Sequence, residues 1–435
     1  MHLYGSSEDT VQNTFCYSAN SILQAAFDNQ LVRRGILPEA LKRGRSTMNN
    51  MNGLFTSESV SPGHPDKICD QISDAVLDAC LASDPEARVA VEVAIKGNLL
   101  CILGELTTDA QINVEEIARQ VLCDIGHADG SWGVNPAGIR IIQELSQQSP
   151  EIGARVGSED TGAGDQGLMF GYATHETAEY MPLPFMISRS LIDRLEVLRA
   201  SGFSHLLGPD AKAQATLRYT DGKPTALTAI VLSCQHSENL QLSELRDMLR
   251  AEILVPVLGK WLDADTRIHL NPAGSFHMGG PVADAGLTGR KIIADTYGGI
   301  SRHGGGAFSG KDATKVDRSA AYAARQIARD VVARGWADLC EVRVAYAIGE
   351  SRPVAVDFDT FGTAKGSVPA ERYLKLGVDV ADALRPAAIV DRLNLRRPVF
   401  RQTAARGHFG RPGYQWEDPF LTDQPLTREP VRNSL

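Results

Sequence analysis

Two periods of apolar residues recur in the same order three times along the chain. One is the alternation of a half-buried strand, in which Val89, Val91 and Val93 are separated by other residues. The other is the three-to-four spacing of one helix face, as at Ile68 and Ile72. From Leu54 onward the pattern predicts strand, helix, hairpin, helix and strand, repeated at about the length of one domain.

Each predicted unit has the same six elements. The opening strands are Gly53–Val60, Gly167–Ala173 and Lys291–Tyr297, and the helices after them are Pro65–Leu81, Met186–Ala200 and Arg318–Arg334. The hairpins pair Arg88–Lys96 with Leu99–Leu106, Ala213–Tyr219 with Thr225–Cys234, and Glu341–Ile348 with Val354–Phe361. The closing helices are Val114–Ile125, Leu242–Leu258 and Ala370–Leu384, and the closing strands are Ile139–Glu144, Arg267–Asn271 and Ala388–Leu393. The pattern predicts an α+β fold of three units, each a mixed sheet with helices on one face; the alternative is chance recurrence of the same order.

Composition narrows the function classes. The chain has 435 residues and a formal net charge of −9, which argues against broad nucleic-acid binding. Seven scattered cysteines form no CxxC pair, which is typical of a reducing cytoplasm. No segment has the roughly 20 apolar residues of a membrane span. We expect a cytoplasmic protein with no nucleic-acid or membrane partner.

The first fifty residues differ from the rest of the chain. They are rich in Ser, Asn and Gln and contain the basic run Lys42-Arg43-Gly44-Arg45. We interpret residues 1–51 as an N-terminal extension and expect it to be disordered, because its composition offers little apolar surface to bury. Met48 and Met51 are alternative starts.

The run Gly63-His64-Pro65-Asp66-Lys67 is the first candidate for chemistry. Pro65 suits the first turn of a helix, which puts His64 at the cap and Asp66 among free backbone N–H groups that favour anions. A phosphate and metal site is one interpretation. The alternative is a capping histidine beside a solvated acidic face, because Asp66, Asp70, Asp74 and Asp78 share helical spacing.

Two glycine-rich runs are the next candidates. Gly162-Ala-Gly-Asp165-Gln-Gly167 is either a ligand loop or a tight turn. In residues 301–318, Gly305-x4-Gly310-Lys311 fits the phosphate-binding P-loop until Asp312, where that motif needs a Ser or Thr. An ordinary P-loop nucleotidase is therefore rejected. The glycines and lysines still predict a polyphosphate site, because a polyanion needs close backbone approach and point charges.

These motifs together resemble those of methionine adenosyltransferase, the S-adenosylmethionine synthetase family. GHPDK, GAGDQG and the run from Gly286 to Arg325 carry the resemblance, which extends from about Leu54 to Phe420. It implies three units around a pseudo-threefold axis, with an N-terminal domain at 52–150, a central domain at 161–278 and a C-terminal domain at 279–421. It also implies S-adenosylmethionine synthesis from ATP and L-methionine, with attack of sulfur on C5′ and release of triphosphate that is then hydrolysed to pyrophosphate and phosphate.

The resemblance also implies roles for individual residues. The catalytic set is His64, Lys212, Arg290, Lys311 and Lys315. ATP would be bound by His64, Asp210, Lys212, Ser275, Phe276, Asp284, Arg290, Lys291, Ala307 and Lys311, and methionine by Glu105, Gln148, Asp165, Asp284 and Lys315. Asp66 and Asp317 would hold Mg²⁺, two ions per site, and Glu92 would serve one K⁺. A homodimer or a dimer of dimers, hence a homotetramer, would form its active sites between subunits.

Two departures and two rival functions remain. Several family members have Arg where this chain has Ser275 and Gly208, which weakens the nucleotide contacts inferred there. The rivals are a kinase or ATPase that leaves ADP, and a catalytically inactive scaffold of the same fold. The intact set of His64, Asp66, Lys311 and Asp317 argues against the scaffold.

Overall fold

Three sheets form the framework of the protein in a computed structural model that describes residues 52–147 and 162–422. Their strands are β1 (Gly53–Val60), β2 (Arg88–Lys96), β3 (Leu99–Thr107), β4 (Arg140–Ser146), β5 (Gly167–Thr174), β6 (Leu207–Thr220), β7 (Lys223–His236), β8 (Arg267–Leu270), β9 (Gly286–Leu287), β10 (Leu339–Tyr346) and β11 (Ala355–Asp359). The strand orders are β4-β3-β2-β9 in sheet I, β1-β6-β7-β8 in sheet II and β11-β10-β5 in sheet III.

Each sheet combines a hairpin from one repeat with an edge strand from another. Strand β9 of the third repeat pairs with the β2–β3 hairpin of the first, β1 of the first pairs with the hairpin of the second, and β5 of the second pairs with the hairpin of the third. Sheets I and II are mixed, because β3–β4 and β7–β8 run parallel while the other pairs are antiparallel. The exchange closes the three repeats into one interlocked body.

Helices cover one face of each sheet. Helix α1 (Pro65–Leu81) and helix α2 (Val114–Leu122) serve sheet I, and α3 (Leu183–Leu198) lies on sheet II with α4 (Leu242–Leu249) and α5 (Val255–Leu258). Helix α8 (Val316–Ala333) lies on sheet III. The remaining short helices are α6 (Gly280–Ala283), α7 (Ile292–Asp295), α9 (Pro369–Lys375), α10 (Val380–Ala383), α11 (Pro386–Arg392) and α12 (Phe400–Arg406). The predicted α+β class is confirmed, and so are the mixed sheets for sheets I and II, whereas the pairs of sheet III are antiparallel.

Two predicted strands are wrong, and each has a local reason. Lys291–Tyr297 contains the helical turn α7, because Lys291 and Asp295, four residues apart, both reach back to α1. All of the predicted strand Ala388–Leu393 except its last residue lies in α11, where Pro386 opens the helix and Ile389 packs in the core beside α8. Among the described residues, sheet III therefore has three strands and no parallel fourth.

Two helix predictions also need correction. The predicted helix 370–384 is split into α9 and α10, because Gly377 adopts a positive φ of 77° between them. The solvated acidic face of α1 is wrong, since Asp66, Asp70 and Asp74 are at most 1% exposed. Within the described ranges, no helix combines the length and apolar character that crossing a bilayer requires.

Candidate active site

His64 is the cap of helix α1. Its Nδ1 accepts a hydrogen bond from the backbone N–H of Asp66 at 3.2 Å, so the proton of the neutral ring lies on Nε2. Burial, and then the charge of Lys291, lower the pKa of His64 to about 4. His64 is therefore a neutral ring at pH 7 with an N–H donor to offer.

Asp66 lies beside two of the predicted phosphate cations. Its Oδ1 accepts from the N–H of Leu287 at 2.9 Å, its Oδ2 from Nζ of Lys291 at 2.5 Å, and Arg290 lies 3.6 Å away. Burial raises the pKa of the Asp66 carboxyl, but the bonds from Lys291 and Leu287 outweigh it and the pKa is lowered. The segment after β9 thus brings Arg290 and Lys291 to the N-terminus of α1.

Sheet II adds further charges next to His64. Nζ of Lys212 lies 2.7 Å from the carboxylate of Glu58, and Asp210 accepts the N–H of Gly280 at 2.7 Å. Burial raises the pKa of Asp210 to about 6. The charges of Lys212 and Asp284 also act on His64. Glu58 was not among the predicted site residues, although it lies shortly before His64 in the sequence, between Ser57 and Ser59 on β1.

The glycine-rich loop presents Lys311 beside Asp317. Their Nζ and Oδ2 atoms are 2.7 Å apart, and a Cβ on Gly306 would lie 2.3 Å from the Asp317 carboxylate, so only glycine fits there. Asp312, which breaks the P-loop pattern, is buried, accepts the N–H of Val89 at 2.7 Å and pairs with Lys315 at 2.5 Å. Its charge is therefore compensated inside the protein.

The two cation-bearing segments touch each other. A Cβ placed on Gly289 would lie 2.6 Å from the Cβ of Ala307, so the glycine lets the segment with Arg290 and Lys291 pack against the loop that leads to Lys311. The ion pairs of the two segments are separate, Lys291 with Asp66 and Lys311 with Asp317. A ligand at this junction would meet cations from both.

The predicted methionine residue Glu105 lies in register with Lys311. Glu105 is directly opposite Ala90 on β2, and Ala90 forms a bridge with Lys311 on its other side. Directly paired residues point to the same face, so the two side chains share the open face of sheet I. Glu92 is exposed on the same strand, two residues from Ala90. Gln148 lies outside the described residues.

The remaining predicted contacts lie around these groups. Exposed Asp165 follows Gly164, whose added Cβ would be 3.7 Å from the carbonyl of Thr314 near Lys315. The N–H of Phe276 donates to Nε2 of His236 at 3.1 Å, and the Phe276 ring lies over Gly279. Ser275 is exposed and its hydroxyl carries no charge.

The described residues include no cluster of three His, Cys, Asp or Glu side chains that would hold a metal by itself. Asp66 and Asp317 nevertheless fit Mg²⁺, because this ion is usually held by one or two carboxylates together with substrate phosphates. Both carboxylates now bind lysines, Lys291 and Lys311, which a phosphate would attract in their place.

The fold brings two cation-bearing segments together, an arrangement that suits a polyanionic ligand. Three family models match the chain: the S-adenosylmethionine synthetase N-terminal domain at residues 52–150, the central domain at 160–276 and the C-terminal domain at 278–418. The chain therefore belongs to the S-adenosylmethionine synthetase family and is a methionine adenosyltransferase enzyme, forming S-adenosylmethionine from ATP and methionine.

Proposed function

We propose that the methionine sulfur attacks C5′ of ATP, and that the C5′–O bond breaks with its electron pair going to the triphosphate. A neutral thioether is already a nucleophile, so the step needs no general base. The difficulty is the charge on the leaving group, which fixed cations stabilise best. The observation that carries the proposal is the contact between the segment of Arg290 and Lys291 and the loop of Lys311.

His64 is proposed as the donor to the departing ribose oxygen. Its Nδ1 is used by the helix cap, so Nε2–H is the group left for the substrate. Lys212, Arg290, Lys291, Lys311 and Lys315 surround the triphosphate in this proposal. The same cations would suit hydrolysis of triphosphate to pyrophosphate and phosphate before product release.

Asp66 and Asp317 are proposed to hold two Mg²⁺ ions, and Glu92 to serve one K⁺. When bound, Mg²⁺ would neutralise phosphate charge. The carboxylate of Asp66 is buried and that of Asp317 is half-buried, whereas Glu92 is exposed on the open face of sheet I. Carboxylate oxygens are the ligands that these hard cations prefer.

The substrate ends are assigned by position. We assign methionine to Glu105, Gln148, Asp165, Asp284 and Lys315, since Glu105 shares an open face with Lys311 across Ala90. The nucleoside is assigned to Asp210, Ser275, Phe276, Asp284 and Ala307, of which Phe276 offers an aromatic face and Ala307 adjoins Gly289. The substrate then spans the junction of the two cationic segments.

A homodimer or a dimer of dimers is proposed to build the active sites between subunits. One row of paired residues crosses the open face of sheet I, namely Leu287, Ala94, Cys101 and Ile142. Leu287 and Ile142 are 42% and 45% exposed, and Leu103 in the next row is 45% exposed. Apolar side chains in such a flat row favour burial against a second copy, and Glu105 and Lys311 lie two rows further along the same face.

We also propose a cytoplasmic location and the domain division 52–150, 161–278 and 279–421 after the extension 1–51. Burial of Cys69, Cys80, Cys234 and Cys340 as free thiols supports the reducing compartment. Because the repeats exchange strands, each of these sequence domains completes its sheet only with a strand from another domain.

Product analysis tests the proposal. Purified protein is incubated with ATP, methionine, Mg²⁺ and K⁺, and products are separated by chromatography. S-adenosylmethionine with equal amounts of pyrophosphate and phosphate supports the full sequence of steps. Free triphosphate as the end product contradicts the hydrolysis step, ADP supports a kinase or ATPase, and no turnover supports an inactive scaffold.

A further inference from the structure

Helix α1 carries four aspartates one turn apart, and each accepts backbone N–H groups from a segment far along the chain. The bonds are between 2.8 and 3.1 Å long, and the donors are Leu287 for Asp66, Gly289 for Asp70, Gly310 for Asp74, and Phe400 with Arg401 for Asp78. Only Asp66 has an assigned part in the proposed chemistry. The other three have none.

Asp70 fixes the segment that bears Arg290 and Lys291. Its Oδ1 accepts from Gly289 at 2.8 Å and its Oδ2 from Nζ of Lys67 at 3.0 Å. Lys67 in turn donates to Asp295 at 2.5 Å. All three charged side chains are buried, so both ends of residues 289–295 are held against α1 by bonds that water does not weaken.

Asp74 fixes the glycine-rich loop, with the help of Arg318. Asp74 accepts the N–H of Gly310 at 2.8 Å and forms two parallel bonds with Arg318, at 2.6 and 2.8 Å, and both side chains are fully buried. Arg318 also donates to the carbonyl oxygens of Phe308 at 3.0 Å and Lys311 at 3.1 Å. The pair therefore holds the backbone on both sides of Gly310.

We propose that Asp70, Asp74 and Arg318 are positioning residues for triphosphate, and that α1 sets the spacing of the two cationic segments. Asp70 and Asp74 are four residues apart, which is a rise of roughly 6 Å along the helix axis. A rigid helix thus determines how far Gly289 lies from Gly310, and hence where Lys291 and Lys311 can reach. The inference rests on the proposed function, because it needs both segments to bind one polyphosphate.

The chain offers a matched control for Arg318. Arg325 lies two turns further along α8, is also fully buried, and forms two bonds with the carboxylate of Glu417, at 3.0 and 2.8 Å. It also donates to the carbonyl of Tyr172. Arg318→Lys and Arg325→Lys therefore remove the same kind of fork while keeping a buried positive charge. Only the first fork touches the glycine-rich loop.

Calorimetric binding of inorganic tripolyphosphate with Mg²⁺, and the melting temperature, are measured for both variants. Both should melt below wild type, but Arg318→Lys should bind tripolyphosphate roughly 10-fold more weakly, while Arg325→Lys stays within about twofold. Methionine KM should change little in either. If both variants bind tripolyphosphate equally well, Arg318 is only structural and the inference is wrong. If wild type itself fails to bind it, the proposed function fails instead.

If Arg318→Lys does not fold, a second pair of variants tests the same inference. Asp70→Asn keeps one acceptor but cannot satisfy both Gly289 and Lys67, whereas Asp78→Asn alters the same row at Phe400, away from the cationic segments. We expect weaker tripolyphosphate binding, by roughly fivefold or more, in Asp70→Asn alone. Equal binding by Asp70→Asn and Asp78→Asn overturns the positioning role.

Discussion

His64 caps helix α1 and has one further, proposed task, and a suitable substitution can remove one without the other. Nδ1 caps α1, while Nε2–H is the proposed donor to the leaving oxygen. Asparagine is an excellent cap, because its side-chain oxygen accepts the same backbone N–H. His64→Asn should therefore keep the cap and lose the donor. His64→Ala should lose both.

The expected effects on stability and on rate follow from the hydrogen bonds at Nδ1 and Nε2 of His64. A cap replaced by alanine costs about 0.5–2 kcal/mol, so His64→Ala should be less stable than wild type and His64→Asn nearly unchanged. A hydrogen bond to a charged group is worth about 1.5–3 kcal/mol. If it forms chiefly in the transition state, its loss slows the chemical step roughly 10- to 150-fold in both variants.

Single-turnover formation of S-adenosylmethionine gives the rate, and urea unfolding gives the stability. Because burial holds the pKa of His64 near 4, kcat/KM should show no fall assignable to this group between pH 8 and about pH 5.5. His64→Asn reacting at the wild-type rate would show that His64 is only a helix cap. Equal stability of the Asn and Ala variants would show that the Nδ1 bond contributes nothing.

Three further outcomes are expected. Lys311→Met should weaken inhibition by tripolyphosphate and slow turnover roughly 10- to 150-fold, with methionine binding unchanged. Glu105→Gln should instead weaken the use of methionine more than the binding of tripolyphosphate. Loss of methionine binding alone in Lys311→Met would contradict the proposed site. Burial lowers the pKa of His127 from 6.5 to about 4, and neither ring nitrogen has a hydrogen-bond partner among the residues that the structure describes. Unfolding therefore takes up a proton as the pH falls. Wild type should then lose about 2 kcal/mol relative to His127→Leu between pH 7 and pH 5 in urea titrations, and parallel curves would refute this. Leu103→Arg, on the open face of sheet I, should shift sedimentation toward monomer and lower turnover; an unchanged sedimentation coefficient would exclude this face as the interface.

The sequence pattern predicted correctly those helices and strands whose ends are determined by neighbouring residues in the chain. Helix α1 begins and ends at Pro65 and Leu81 as predicted, because a proline, a cap and a three-to-four apolar stripe agree there. Strand β2 also matches at both ends, since its alternation is regular. The strand predicted at Lys291–Tyr297 was wrong because contacts with α1 determine the backbone there. The sequence of the segment alone does not indicate those contacts.

The sequence supplied candidate residues for the site but not their arrangement. Motifs singled out His64, Lys291 and Lys311 as candidates, whereas the contact of Gly289 with Ala307 depends on β9 crossing into the sheet of another repeat. The aspartate row shows the same limit. Four-residue spacing is shared by a solvated face and a buried one, and only the donors brought by distant segments distinguish them.

The cations of the site are each compensated by a carboxylate of the same chain. The pairs are Lys291 with Asp66, Lys212 with Glu58, Lys311 with Asp317 and Lys315 with Asp312. A triphosphate that draws Lys291 and Lys311 to itself would leave Asp66 and Asp317 without their partners, at a cost that a divalent cation on those carboxylates would remove. Polyphosphate and Mg²⁺ should therefore bind with positive cooperativity that exceeds their association in solution. Calorimetry of wild type and of Asp317→Asn at a series of Mg²⁺ concentrations measures this, because the variant needs no cation to compensate a freed carboxylate. An Mg²⁺ dependence of tripolyphosphate affinity that is identical in both proteins would show that the Lys311–Asp317 pair is not exchanged on binding.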